Sequence, residues 1–245
     1  MIRRLTSIEI KYLKKLNNKK YRKSEGLFLV EGSKLCEEVL HSNYEIKYTI
    51  TSNEFKYNDF PNVNIVDYDS LKSICTTVTP QDIVCVVCIP HLELDDPKGN
   101  SLILDGLQDP GNIGTLIRSA MAFGFNDIYF IDCPDIYSEK VVRGSMGGVF
   151  KINPHIVTRD YLINNKSKIC DILLSTSLKG ELLDQKCLPK KRIGVIIGNE
   201  GNGVSAELIQ ASDKSVKLPM TDRVESLNAG VAGSIMMYEI FKGEL

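Results

Sequence analysis

The chain has 245 residues, 43% hydrophobic and 25% charged, with a net charge of −1. That length suits two domains or one large one, and the ordinary globular composition excludes a fibrous or low-complexity chain. Near-zero net charge removes overall basicity as an argument for nucleic acid, no apolar run reaches membrane-spanning length, and MIRRLTSIEIKYLKK lacks a secretory apolar core.

The charge is unevenly placed. Residues 1–25 hold nine Lys or Arg (Arg3, Arg4, Lys11, Lys14, Lys15, Lys19, Lys20, Arg22, Lys23) against Glu9 and Glu25, the kind of local basic stripe that marks a nucleic-acid surface. Residues 6–24 read as one basic helix, with Ile8, Leu13 and Leu16 on its apolar side and Ile10 and Tyr12 nearby. Short alternating segments follow: strands at 27–32, 46–52, 63–69 and 82–90, helices at 33–43 and 69–76. They predict a small α/β domain over residues 1–92. Charges, Pro97 and Gly99 mark a linker at 93–100.

Residues 101–245 predict a second domain. Apolar strands at 101–107, 127–132, 171–177, 192–199 and 215–220 alternate with helices at 112–124, 138–147, 158–167, 204–211 and 228–242. Such strands form a parallel sheet covered on both faces. Its ligands bind at the carboxyl ends of the strands. The seven cysteines (Cys36, Cys75, Cys85, Cys88, Cys133, Cys170, Cys187) are scattered among apolar residues, so reduced thiols in a cytoplasmic protein are expected. Cys85 and Cys88 have CxxC spacing, but IVCVVCI reads as a strand in which both pack, and no metal is expected.

Three motifs lie at strand ends. In DPGNIGTLIRSA, a turn starts a helix; Asn112 suits an N-cap and Gly114 permits close approach. Arg118 lies one turn after Gly114, its stem partly buried, and implies either an anionic ligand or a surface salt bridge. In GVIIGNEGNGVS, the order G-x-x-G-x-G matches neither the dinucleotide fingerprint nor the P-loop. That loop suits backbone hydrogen bonds to an adenine or ribose, or is simply a strand-to-helix turn, and Glu200 is its one charged side chain. In LPMTDRVESLNAGVAGS, Ser226 and Asn228 precede a helix whose Ala229, Gly230, Ala232, Gly233 and Ser234 allow close packing, so these two are either pocket contacts or caps.

Together these segments resemble the SpoU/TrmH family of RNA ribose 2′-O-methyltransferases, of the SPOUT class. The likeness is carried by Asn112-Ile113-Gly114-Thr115-Leu116-Ile117-Arg118, by Ile197-Gly198-Asn199-Glu200-Gly201, and by Leu218-Pro219-Met220 with Ser226-Leu227-Asn228. Arg143-Gly144-Ser145-Met146-Gly147 is similar to an intermediate family segment. Lys11, Leu13, Lys14, Lys15, Lys19, Arg22, Gly26, Phe28 and Glu31-Gly32 resemble the substrate-binding domain often fused to these enzymes. Ala229-Gly230 departs from a Val-Ser pair common in the family.

The resemblance implies an α/β SPOUT domain with a C-terminal trefoil knot, a homodimer that shares residues at each site, and S-adenosylmethionine as cofactor. Ile197, Gly198, Asn199, Gly201, Leu218, Pro219, Met220, Ser226, Leu227 and Asn228 would hold the cofactor. Asn112, Arg118, Glu200, Ser226 and Asn228 would serve catalysis. Because an arginine keeps its proton, Arg118 is expected to hold a phosphate and stabilise a developing alkoxide, with Asn112 orienting Arg118 or the ribose, Glu200 steering Arg118 or a substrate hydroxyl, and Ser226 and Asn228 positioning the nucleotide or ordering the loop. Lys11, Lys14, Lys15, Lys19, Lys20, Arg22 and Arg143 would contact RNA. Ribosomal RNA is the expected substrate, because the fused N-terminal domain suits a folded RNA. Transfer RNA, a base methyltransferase and a non-catalytic RNA binder are the alternatives.

Overall fold

A computed structural model describes residues 3–53, 56–92, 94, 96–184, 191–221 and 223–244. In chain order the elements are β1 (Arg3–Arg4), α1 (Ser7–Lys15), α2 (Lys19–Glu25), β2 (Leu27–Glu31), α3 (Ser33–Leu40), β3 (Ile46–Thr51), β4 (Val63–Ile65), α4 (Tyr68–Ile74), β5 (Ile83–Cys88), β6 (Ser101–Asp105), α5 (Pro110–Ala122), β7 (Asp127–Ile131), α6 (Glu139–Gly144), β8 (Asn153–Ile156), α7 (Arg159–Asn164), α8 (Lys166–Ile169), β9 (Ile172–Leu182), β10 (Ile193–Gly198), α9 (Ala206–Ala211), β11 (Lys214–Lys217) and α10 (Ala229–Glu244). They fall into two compact units, residues 1–91 with 135–150, and residues 92–134 with 151–245.

The first unit is built on a five-stranded sheet in the order β1-β4-β3-β5-β2, parallel at β1/β4 and β4/β3 and antiparallel at β5. The single helix expected over 6–24 is two. Asn18 leaves helical geometry at φ −98°, ψ 130°, and its side chain accepts the Lys20 amide at 2.9 Å, starting α2. Asn17 donates to the Ile74 carbonyl at 2.7 Å. Asparagine side chains compete with helical bonding in this way, so the Asn-Asn pair breaks the helix. Leu13 and Leu16 enter the core, whereas Ile8 is 80% exposed and does not share their face. In β5, Cys85 is buried and Cys88 half-buried; three apart on a strand they point to opposite faces, so the CxxC spacing builds no common site. Cys187 lies outside the described residues.

Residues 135–150 join this unit although they follow two strands of the other in sequence. Arg22 is the reason on one side. It is 6% exposed, pairs with Asp135 at 2.7 Å and donates to the Leu16 carbonyl at 2.9 Å. On the other side Tyr137 and Phe150 pack among Phe28 and Tyr44, with Phe28 and Tyr137 centroids 4.8 Å apart. Burial pushes the Tyr44 hydroxyl above its usual range, consistent with an aromatic core rather than a wet surface.

The second unit is a six-stranded parallel sheet in the order β11-β9-β10-β6-β7-β8. β6, β7 and β10 are buried along their whole length, as their unbroken apolar runs require. β8 is additional to the expected strands. Its NPHI run carries a proline, which a strand tolerates at an edge, and β8 has only β7 as neighbour. β9 runs further than expected and its pairing with β11 shifts between Ser215 and Val216, so residues 176–180 leave the regular ladder. α5 also starts earlier than expected. Asp109 is its N-cap, accepting the Gly111 amide at 3.1 Å, and Pro110 takes the first turn. Asn112 is therefore inside the helix, its amide free for another partner. Among the described residues no helix is long and apolar enough to cross a membrane.

Candidate active site

The site grows from the end of β10. Gly198 admits no side chain, because an added Cβ would lie 2.2 Å from the carbonyl carbon of Gly203 and from the Val204 nitrogen. That close approach folds residues 199–204 back on themselves. Asn199 and Gly203 exchange backbone hydrogen bonds at 3.0 and 2.9 Å, and the Asn199 side-chain oxygen accepts the Gly201 and Asn202 amides. The Asn199 amide group donates to the Gly106 carbonyl at 2.8 Å, tying the loop to the end of β6.

Glu200 ties the same loop to α5. Its carboxylate accepts the Asn112 side chain at 2.9 Å and the Gln108 and Asp109 amides at 3.1 and 3.2 Å. Desolvation raises its carboxyl pKa, but these hydrogen bonds, Asn112 foremost, outweigh it and hold the group below the usual carboxylate range. Asn112 and Glu200 bond each other and neither bonds Arg118, so among the described residues Arg118 has no direct orienting contact from them. Arg118 is also exposed rather than partly buried, and makes no hydrogen bond or ion pair with the described residues.

The third segment closes the site. Asn228 caps α10, accepting the Gly230 and Val231 amides at 2.9 and 3.2 Å, while Ser226 is exposed. α10 lies so close to its neighbours that a Cβ at Gly233 would come 2.4 Å from Leu116 and 3.1 Å from Ile197. A Cβ at Gly230 would sit 3.2 Å from the Asn112 oxygen, so the small residue there leaves Asn112 its place beside Glu200.

These segments enclose a cleft of about 700 Å³. Of the ten residues expected to hold a cofactor, all but Pro219 line it, together with Glu200; Asn112 and Arg118 do not. Sequence reasoning missed Thr176–Lys179 and Met236, which also form its walls. The polar STS at the carboxyl end of the apolar β9 run is the same signal that marks the other motifs.

A family model described as the SpoU rRNA methylase family matches residues 99–238. The chain belongs to the SpoU rRNA methylase family. A second family model, described as the MRM3-like substrate binding domain, matches residues 8–85. The chain is 32% identical over 240 residues to the 23S rRNA (guanosine(2553)-2′-O)-methyltransferase RlmP of Bacillus subtilis, covering 95% of each. It is 26% identical to the human mitochondrial rRNA methyltransferase 3, covering 97% of this chain and 71% of that one. A crystal structure of an AdoMet-bound rRNA methyltransferase from Sinorhizobium meliloti superposes with a TM-score of 0.87 at 26% identity, covering 100% of this chain and 98% of the other.

The SpoU match lies over the cleft, and the substrate-binding match lies over the basic helices. There Lys11, Lys14, Lys15, Lys19 and Lys20 are exposed. The Lys15 ammonium stands 5.5 Å from the centroid of the Tyr21 ring. Arg22 does not belong with them, because its buried pairing with Asp135 removes it from any phosphate. Arg143 is exposed on α6 and already pairs with Glu139 at 3.1 Å.

Proposed function

We propose that this SpoU-family chain methylates a ribose 2′-hydroxyl of ribosomal RNA, using S-adenosylmethionine bound in the cleft between the irregular middle of β9 and the end of β10. The observation that carries the reading is the cleft itself, about 700 Å³ and walled largely by backbone and apolar side chains from β9, the end of β10 and its loop, β11 with the segment after it, and the start of α10. That volume suits a small-molecule site, typically roughly 300–1,000 Å³. Ile197, Leu218, Leu227 and Met236 suit an adenine face, and the 199–204 loop offers backbone rather than a phosphate-binding lysine. When bound, S-adenosylmethionine supplies a methyl group on a sulfonium, an electrophile for an oxygen nucleophile.

The chain's own residues then divide the work. Arg118, exposed and unpaired, holds the phosphate beside the target ribose and stabilises negative charge as it develops on the 2′-oxygen. The hydroxyl proton passes to that phosphate. Asn112 and Glu200 hold the start of α5 and so place Arg118 through the helix. Asn228 fixes the start of α10, and Ser226 offers a free hydroxyl at the mouth.

The trefoil knot belongs to this reading, as does a homodimer. On α10, Val231, Ile235 and Tyr238 are 46%, 37% and 44% exposed and share one face, an apolar stripe suited to a second copy. The lysines of α1 and α2 grip RNA through phosphates. A cytoplasmic location accords with such a substrate and with free thiols at the six described cysteines.

Mapping 2′-O-methyl groups in ribosomal and transfer RNA from cells with and without the protein tests the reading. One ribosomal site should disappear with the protein. Loss of a transfer-RNA site instead, or no change in either, overturns it.

A further inference from the structure

The 199–204 loop supplies six consecutive residues to the cleft. Its entry is anchored by Asn199 and Glu200, as described. Its exit is anchored by Asp105 and Arg159, which lie outside all three motifs. Ser205, which follows the loop and starts α9, donates its amide to Asp105 Oδ2 at 2.7 Å. Asp105, the last residue of β6, is 1% exposed. Its other oxygen is gripped by Arg159, the first residue of α7, through Nε at 2.9 Å and Nη2 at 2.7 Å. Arg159 also donates to Ser205 Oγ at 3.2 Å and pairs with the exposed Asp132 at 2.5 Å.

A carboxylate this deeply buried needs a paired cation, and here two donors of one guanidinium converge on Oδ1 while the Ser205 amide takes Oδ2, so the two contacts together fix its orientation. With Oδ1 held by Arg159, Oδ2 faces the Ser205 amide. The arrangement is more than an ion pair between two elements. It sets the position of the backbone atom at which the loop ends.

We infer that Asp105 and Arg159 are positioning residues for the cofactor: their ion pair, closed by the Ser205 amide, holds the exit of the 199–204 loop in the shape that receives S-adenosylmethionine. The inference rests on the reading of the cleft as the S-adenosylmethionine site. A loop released at its exit still folds around its own Asn199 turn but no longer presents Asn202, Gly203 and Val204 at one depth. Displacements of about 1 Å in a binding wall are costly even when the altered residue touches no ligand.

The test is calorimetric titration of the full-length chain with S-adenosylmethionine, together with KM and kcat for both substrates and the melting temperature of each variant. Arg159→Ala should weaken cofactor binding about tenfold or more. Arg159→Lys, which keeps a charge beside Asp105 but not the fork, should weaken it about threefold. Asp132→Ala, which removes only the exposed arm, should change it less than twofold. KM for S-adenosylmethionine should rise in the same order while KM for RNA stays constant. If Arg159→Ala does not fold, Arg159→Lys carries the same comparison. Cofactor affinity within twofold of wild type in a folded Arg159 variant, with only the melting temperature lowered, overturns the inference and reduces the pair to a structural one. A wild-type chain that takes no S-adenosylmethionine overturns the cofactor reading itself.

Discussion

The cleft and the basic helices prepare for their ligands in opposite ways. Around the cleft the side chains that anchor its backbone are already bonded: Asn199 to Gly106, Glu200 to α5, Asn228 to α10. On α1 and α2 the lysines stand exposed in water. A rigid, satisfied wall gives shape selection and little dependence on salt. A surface of unpaired cations gives affinity without shape and falls steeply with salt. Arg118 sits between the two types, a free cation on a helix whose first turn is tied down.

That intermediate position predicts the largest effect. Arg118→Ala should lower kcat by about 10²–10³-fold, the usual cost of removing a group that stabilises transition-state charge. Cofactor affinity should stay the same, because Arg118 does not line the cleft. Arg118→Lys should also be strongly impaired, since a point charge replaces a two-pronged donor. Near-normal turnover of the lysine variant in a methyl-transfer assay would remove Arg118 from the chemistry.

Replacing Lys14, Lys15, Lys19 and Lys20 together by alanine should weaken RNA binding and flatten its dependence on log salt by about three, at roughly 0.7–0.9 for each phosphate no longer neutralised. Cofactor affinity should not change. Filter binding at several salt concentrations checks this, and an unchanged slope would break the contrast between the two regions. Gly198→Ala should do the reverse. Its new methyl meets Gly203 and Val204 backbone that cannot move aside cheaply, so cofactor binding should fall and stability drop by about 1–3 kcal/mol. Calorimetry and thermal melting read both, and RNA affinity at low salt should be retained.

The motifs and buried strands are legible in sequence because their signals are local. β6, β7 and β10 are unbroken apolar runs, and Gly198, Glu200 and Asn228 all line the cleft. What the sequence hides depends on distant partners. Arg22 reads like its lysine neighbours, and only Asp135, 113 residues away, makes it a buried anchor. Arg159 lies in no motif and acquires meaning only through Asp105 and Ser205. The early start of α5 is different, because its signal is local too: Asp109-Pro110 is a better helix start than Asn112, and that start frees Asn112 for Glu200.

The smallest effect tests that last link. The Glu200 carboxyl is held below its ordinary range, so its contribution to stability is complete above its unfolded-state value of about 4.3 and is lost as pH falls through the lower folded value. The side chain is exposed, so solvent screening keeps the contribution below about 1 kcal/mol. Glu200→Gln should therefore be slightly less stable than wild type at pH 7, and the difference should close as the carboxylate protonates in acid. Urea unfolding from pH 7 down to about pH 3 measures it. A gap that widens toward acid would mean that the carboxylate is not what holds α5 to the loop, and the placement of Arg118 would then need another source.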